Sequence, residues 1–583
     1  MSVANFGTDT AVNNQYYKLI ITALTNEGAC QIDMEGTSMV LHLTDDFKAN
    51  AADWEAAGIK LPQYDPAEVA AYTAEHPYWV HFGAGNLFRE VQALIAQSLL
   101  NQGLVKSGVI VAETFDADII EDSFKPYDNR GLSVILKSDG SIDTELVASV
   151  AASYGVKKHD EVWDGLVKVF TNPELQFVTV TITEKGYAIK NNDGELLPWI
   201  KPEVENGPDT AVSAMGAITA LLFERFKAGA KPIAMVSTDN FSQNGDRFRS
   251  VIVEFAELWA KKGFVSEDFV RYVDDPEQVS FPLSMIDRIT PNPAESVSKL
   301  LAEKGFGDNK IFHTAKGTNV APFANSEETW YLVIEDSFPN GRPALEKAGV
   351  FLGDRDTVND SDEMKVTTCL NPVHTALAVT GRLMSYDSMS ETIADPTLKA
   401  LAERLSYKEG LPVVTDPGIF SPKEFAEKVI DVRVPNPSLP DSPVRISTDT
   451  SQKVPIRFGV TIKKYVESPD HDVNELVAIP LAIAAWLRLL LGKDGKATDD
   501  NGNEITLSPD PRIPELQADL APLTLGGDLS KADEVLKPIL ADTTLWNVDL
   551  TQTPLAEKIV GYFKEFAAGT GTLHPVIDKE LGL

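Results

Sequence analysis

Lys365, Asn371 and His374 fall within ten residues, at the start of an apolar helical stretch. A lysine desolvated there has a lowered pKa and can act as general acid and base near neutrality. Asn371 before Pro372 reads as a helix N-cap followed by proline at the first helical position. His374, one turn later, belongs to the same end. The alternative is a cluster brought together by chance. Ser237-Thr238-Asp239-Asn240 closes an apolar strand. Asn240 there either donates an amide N–H to a developing oxyanion or caps the helix that follows. Arg445, Lys453 and Arg457 put three cations into thirteen residues of an acidic chain. They form either an anion or polyol pocket or a solvated helix face. Asp287 and Arg288 sit in an apolar run and read as a structural ion pair.

These groups need a scaffold, and a glycine turn begins it. The apolar run 78–82 stops at Gly83-Ala84-Gly85, and a helical run over 89–100 follows. In such a turn the backbone N–H groups of Gly83, Ala84, Gly85, Asn86 and Leu87 can approach a pyrophosphate. The third small position of a full GxGxxG is taken by Phe88, so an ordinary tight turn is the competing reading. A second strand, 108–112, is closed by Glu113, 28 residues after Gly85. An acidic side chain at that place takes the ribose hydroxyls of NAD and repels the extra phosphate of NADP. Asp116 and Asp118 are its rivals.

Strands are predicted at 177–183 and 232–237, with helices at 213–228 and 246–262. Alternating strands and helices give an α/β fold with a doubly wound, Rossmann-type sheet. Beyond about residue 355 helices dominate, at 375–386, 395–405, 422–432, 476–491 and 555–568. The segment 493–514 is expected to be a surface excursion. The expected organisation is an extension over 1–75, a nucleotide-binding domain over 76–355 and a mostly α-helical domain over 356–583.

The 583 residues carry 52 basic and 86 acidic side chains, a net charge of −34. Nucleic acid and anionic membrane are poor partners for such a surface. Cys30 and Cys369 form no CxxC and no Cys/His cluster, which argues against a disulfide framework and against structural zinc. Residues 1–20 lack a basic start followed by an apolar core, and the longest apolar stretch, 476–487, is too short to span a bilayer. A cytoplasmic protein is expected, monomeric or a small homo-oligomer.

Six stretches, in order, resemble the polyol-specific long-chain dehydrogenase/reductase family (the mannitol dehydrogenase family). They are His81-Phe-Gly-Ala-Gly-Asn-Leu-Phe-Arg89, Thr183-Glu-Lys-Gly-Tyr187, Ser237-Thr-Asp-Asn240 with Asn244-Gly245, Ser284-Met-Ile-Asp-Arg-Ile-Thr-Pro291, Lys365 with Asn371 and His374, and Asp449-Thr-Ser-Gln-Lys453 with Arg457. The resemblance implies metal-independent hydride transfer between NAD, with NADP second, and a keto-sugar or keto-acid. It implies that Lys365 is the general acid/base and that Asn240 and Asn371 bond the carbonyl oxygen. His374 would orient a substrate hydroxyl, and Arg445 and Lys453 would hold the far end of the substrate. The basic set including Arg457 favours a keto-sugar acid, so D-fructuronate reduced to D-mannonate is the expected reaction. D-Fructose/D-mannitol and tagaturonate chemistry are the alternatives, and a non-catalytic NAD- or sugar-acid-binding protein is the reading from another class. Asp287 is carried over as a substrate-binding residue. One departure stands out: Lys365 precedes Asn371 by six residues where the family has five. An added residue turns a helical side chain by about 100°, so a π-bulge or a break at Pro372 is needed to keep its aim.

Overall fold

The computed structural model describes residues 40–583. Cys30 and residues 1–20 lie outside the described residues. Six strands form the central sheet: β1 (Trp79–Phe82), β2 (Val109–Glu113), β3 (Val150–Gly155), β4 (Phe177–Val180), β5 (Ile233–Ser237) and β6 (Val279–Ser280). Their order is β3-β2-β1-β4-β5-β6, and every neighbouring pair is parallel. The chain winds one way from β1 to β3 and the other way from β4 to β6. A crevice therefore opens outside the carboxyl ends of β1 and β4, where ligands of open α/β sheets bind.

Both faces of this sheet are covered, so its strands are apolar almost throughout. Val80, Phe82, Ile110 and Ala112 face one core with Trp163 and Phe255. Trp79, Val109 and Val111 face the other with Phe88 and Ile95. The helical run expected at 89–100 breaks at Val91 into α1 (Asn86–Glu90) and α2 (Gln92–Asn101). The strand expected at 177–183 ends at Val180, because Thr183 turns to φ +65°.

A second sheet has no counterpart in the sequence reading. Ile59–Lys60, Ile142–Val147, Gly131–Leu136 and β8 (Phe323–Glu327) pair in that order. Leu41, Phe47 and Trp54 pack with Leu132, Leu146 and Phe323 in its core. The strand β7 (Ser284–Asp287) belongs to a third sheet with Tyr331–Glu335 and Phe351–Gly353.

Past Gly353 the chain is mostly helical. Helix α4 (Arg355–Met364) runs into a π-helical turn, Lys365–Cys369, and then into α5 (Asn371–Met384). Helix α6 (Pro422–Lys428) continues into a second π turn, Val429–Arg433. The apolar stretch from 476 becomes α7 (Ala478–Leu489), all twelve residues of which are buried. The guanidinium of Arg488 survives there because it donates to Thr498 O and, at 3.2 Å, to Asp499 O. The excursion 493–514 is not irregular throughout. Gly492–Lys493, Lys496–Thr498 and Glu504–Thr506 make a small antiparallel sheet. Strands of two or three residues carry too little alternation to be read as a period.

Candidate active site

The glycine turn is shaped by steric need. Gly83 has φ +107°, and a Cβ there would lie 2.1 Å from Thr181 O. No other residue fits. Around Gly85 there is open space to 4 Å, so the backbone is bare on that side. Glu113 ties the turn to β2. Its Oε2 accepts from Ala84 N at 2.9 Å, and its Oε1 accepts from Phe115 N at 2.8 Å and Asp116 N at 3.1 Å. The Asn86 side chain donates to Pro291 O at 3.3 Å. Leu87 follows in α1, and Phe88 is fully buried and stacked on His81 at 4.5 Å. Burial drives the pKa of His81 down to about 3, so it is a neutral packing residue under the turn.

This arrangement fits a dinucleotide from Gly85 onward, with a carboxylate at the end of the neighbouring strand; the N–H groups of Gly83 and Ala84, expected to approach a pyrophosphate, are taken by Ala112 O at 2.8 Å and by Glu113. Asp116, the rival ribose ligand, is more deeply buried than Glu113, which is 6% exposed. Asp116 is 1% exposed, and its Oδ2 takes the hydroxyls of Thr314 and Thr318 at 2.7 and 2.6 Å. Asp118 pairs with Lys157 at 2.7 Å.

Lys365 lies at the start of the π turn with 3% of its side chain exposed. Its Nζ donates to Asn240 Oδ1 at 2.7 Å and to Ile286 O at 3.3 Å, and Asp362 Oδ1 stands 3.3 Å away. The extra residue between Lys365 and Asn371 is taken up in this turn, where Leu370 N bonds Lys365 O five residues back. A π turn holds one residue more than an α turn, so α5 starts without a rotated face. Asn371 is not the cap expected from the sequence. It is the first residue of α5, after Leu370, and its amide makes no hydrogen bond among the described residues. Asn240 is not a cap either, since α3 (Asn244–Lys261) begins after Gln243.

The rest of the Ser237–Asn240 motif is framework. Asp239 accepts from Ile182 N, Thr183 N and Tyr187 OH at 3.0, 2.7 and 2.8 Å, which fixes the loop after β4. Asn244 clasps Ser284 through both backbone groups, at 2.9 and 3.0 Å. A Cβ on Gly245 would sit 2.5 Å from Phe281 O, so α3 lies directly on that backbone.

Asp287 and Arg288 do not pair with each other. Neighbours in a strand point to opposite faces. Asp287 takes a bidentate pair from Arg433, with Nη2 at 2.8 Å. Arg288 donates to Glu327 O at 3.0 Å and to Glu90 O, and its Nη2 stands 4.0 Å from Glu90 Oε2. Arg433 also reaches Glu327 Oε1 at 2.9 Å, so one guanidinium from the helical part holds two carboxylates of the strand-rich part. Burial opposes ionisation of Asp287. The guanidinium of Arg433, with Lys365 and His374 near, still holds it below the usual carboxylate range. Burial raises Glu327 to about 7 despite Arg433.

His374 lines a narrow crevice with Ile289, Arg433 and Asp441. Its pKa is held at about 4, chiefly by burial, with Arg433 and Arg457 acting in the same direction. Arg457 donates to Thr375 Oγ1 at 2.7 Å, beside His374. Burial and the neighbouring Arg457 lower Lys453 to about 8. Lys453 donates to Ile446 O at 3.0 Å and to Thr448 O, and Arg445 pairs with Asp441. The cationic block therefore abuts the crevice of His374, with its charges partly engaged locally.

Arg433, Glu327, Glu90 and Asp441 were missed in the sequence. Their partners lie in distant segments, and only the fold joins them. Asp362 was missed as well, although its place three residues before Lys365, on the same helix face, is a local signal that could have found it.

A groove of about 430 Å³ lies at the opposite, amino-terminal ends of the strands, lined in part by Tyr72, His76, Lys106 and Arg342. Its basic groups His76 and Arg342 are already paired, with Glu174 at 3.0 Å and Asp336 at 2.7 Å. The convergent chemistry is at the other end. Among the described residues no cluster of three His, Cys, Asp or Glu side chains could hold a metal ion. No helix among them is long and apolar enough to cross a membrane.

Family models match both parts of the chain: the mannitol dehydrogenase Rossmann domain over residues 78–347 and the mannitol dehydrogenase C-terminal domain over 357–566. The chain belongs to the mannitol dehydrogenase family. It is 46% identical over 534 residues to a D-mannonate oxidoreductase of Thermotoga maritima, covering 91% of this chain and 97% of that protein. It is 29% identical to a D-mannonate oxidoreductase of Escherichia coli, over 81% of this chain and 90% of that one. Among solved structures, Pseudomonas fluorescens mannitol 2-dehydrogenase in a ternary complex with NAD and D-mannitol matches at 25% identity. That match has TM-score 0.60 and covers 90% of this chain and 96% of that one. A substrate-free D-sorbitol dehydrogenase matches in fold, with TM-score 0.74, 24% identity and coverage of 89% and 98%. Within the family the two-part architecture, a Rossmann-type sheet followed by helices, is the shared frame.

Proposed function

We propose that this enzyme reduces D-fructuronate to D-mannonate with NADH, reversibly and without a metal. The observation that carries the reading is the buried Lys365 bonded to Asn240 at the carboxyl end of β5, beside a glycine turn fitted for a dinucleotide. The choice of substrate rests on the 46% identity to a D-mannonate oxidoreductase.

Glu113 and the backbone of Gly85, Asn86 and Leu87, in the turn shaped by Gly83 and Ala84, would hold the cofactor, which when bound would supply the hydride. Lys365 gives a proton to the carbonyl oxygen in reduction and takes it back in oxidation. Because Asn240 Oδ1 accepts from Lys365, its amide N–H groups are left for the carbonyl oxygen. The unengaged amide of Asn371 completes that hole. These groups polarise the carbonyl as a metal would elsewhere. Neutral His374 orients a hydroxyl, and Arg445, Lys453 and Arg457 receive the carboxylate end; Asp287, carried over as a substrate ligand, is instead spent on Arg433, which takes both its oxygens. The product formed from D-fructuronate tests the reaction. Mannonate, identified by NMR, supports it, and recovery of another epimer contradicts it.

A second reading, interconversion of D-fructose and D-mannitol, is favoured by the match to the mannitol-bound structure. The same Arg and Lys side chains can bond neutral hydroxyls. Fructuronate remains the first choice because of the 46% identity to a D-mannonate oxidoreductase.

A further inference from the structure

Past β2 an aromatic ring stands in solvent with a cation laid over it. Phe115, two residues beyond Glu113, is 69% exposed. Lys316 Nζ lies 4.5 Å from the centre of its ring and donates to Phe115 O. A single exposed apolar side chain is ordinary. This one is framed. Lys316 stands at the tip of a hairpin in which Phe312–His313 pairs with Asn319–Val320, and Gly317 supplies the turn with φ +83°.

The hairpin is bolted to the loop that carries Phe115. Asp116 Oδ2 takes Thr314 Oγ1 and Thr318 Oγ1, and Thr314 Oγ1 in turn takes Thr318 N at 3.0 Å. A carboxylate with both oxygens in water loses solvation when buried, and only specific hydrogen bonds offset that loss. Here the bonds hold one surface hairpin against one surface loop. The position they fix is next to Glu113, whose carboxylate touches the glycine turn.

We propose that Phe115 and Lys316 form a clasp for the adenosine end of the dinucleotide, with the Phe115 ring against the adenine and the Lys316 ammonium placed to meet a 2′-phosphate. The clasp rests on the dinucleotide reading of the glycine turn. Its consequence is tolerance. Glu113 disfavours the phosphorylated cofactor, Lys316 offsets that repulsion, and the enzyme binds both forms.

The test is equilibrium binding, read by nicotinamide fluorescence and calorimetry, of NADH and NADPH to the wild type, Phe115→Ala and Lys316→Ala. Both side chains are on the surface, so the variants are expected to fold. Stacking of a base on an aromatic ring sets the scale for Phe115→Ala, a loss of about tenfold for both cofactors. Lys316→Ala is expected to weaken NADPH by about tenfold and NADH by less than about twofold, with the NADPH effect shrinking as salt is raised. Wild-type affinities retained in both variants would overturn the clasp while leaving the glycine turn as the cofactor site. Failure of the wild type to bind either cofactor would overturn the dinucleotide reading itself, and the clasp with it.

Discussion

Lys365 Nζ donates to Asn240 Oδ1 at 2.7 Å, joining the π turn after α4 to the end of β5 across 125 residues of sequence. That bond fixes which atoms of the amide are left for substrate. Lys365→Ala is expected to lower kcat by about 10²- to 10⁴-fold, the usual contribution of a positioned acid/base group. NADH affinity should stay within about twofold, measured by fluorescence titration. Near-normal turnover would remove Lys365 from the chemistry.

Arg433 should be needed for stability. It is the partner of two buried carboxylates, Asp287 and Glu327. Removing one side of such a pair leaves buried charge without compensation, which costs about 3–5 kcal/mol. Arg433→Ala is expected to lose that much in urea unfolding. Arg445→Ala, at a pair whose arginine side chain is 61% exposed, should lose less than about 1 kcal/mol. Equal losses would contradict the buried clamp.

Glu327 gives a pH dependence with a definite sign. Its folded pKa is raised to about 7 from an ordinary 4.5, by burial first and by Asp287 beside it, against Arg433. The folded protein therefore binds this proton more tightly than the unfolded chain. The resulting stability is full below about pH 4.5 and lost as pH rises through 7. His374 acts in the opposite direction: its stabilising contribution is present above about 6.5 and lost as pH falls through about 4. His374 is present in both wild type and Glu327→Gln, and its contribution changes at lower pH than that of Glu327. The variant should gain on the wild type between pH 5 and 8, by an amount on the order of 3 kcal/mol for the full shift. A difference that does not change with pH would contradict the raised pKa.

Glu113→Ser should shift cofactor preference toward NADPH if the proposed ribose carboxylate is Glu113. It should also weaken NADH, because Glu113 accepts from Ala84, Phe115 and Asp116 N–H groups and so shapes the turn. Binding titrations with both cofactors measure this. An unchanged NADPH-to-NADH ratio would place the ribose contact elsewhere.

Much of this was legible in the sequence. Apolar runs ending in Gly83, Glu113 and Ser237 announced strands buried on both faces. The six-residue step from Lys365 to Asn371 announced that the helix had to be irregular, and the π turn Lys365–Cys369 is that irregularity. What was illegible depends on distant pairing. Arg433 meets Asp287 across 146 residues, and no local pattern marks either as the other's partner. Asp116 looked like a ribose ligand because acid after a strand is a local signal. Its actual partners, Thr314 and Thr318, lie about two hundred residues on. The strand Val150–Gly155 was missed because five of its six residues are only half-buried, which weakens the apolar signal.

The most direct measurement is the initial rate of NADH oxidation with D-fructuronate, D-tagaturonate and D-fructose side by side. A strong preference for D-fructuronate is expected, with the cationic block serving as the carboxylate site. A preference for D-fructose, or no turnover of any of the three while NADH is bound, would contradict the assignment.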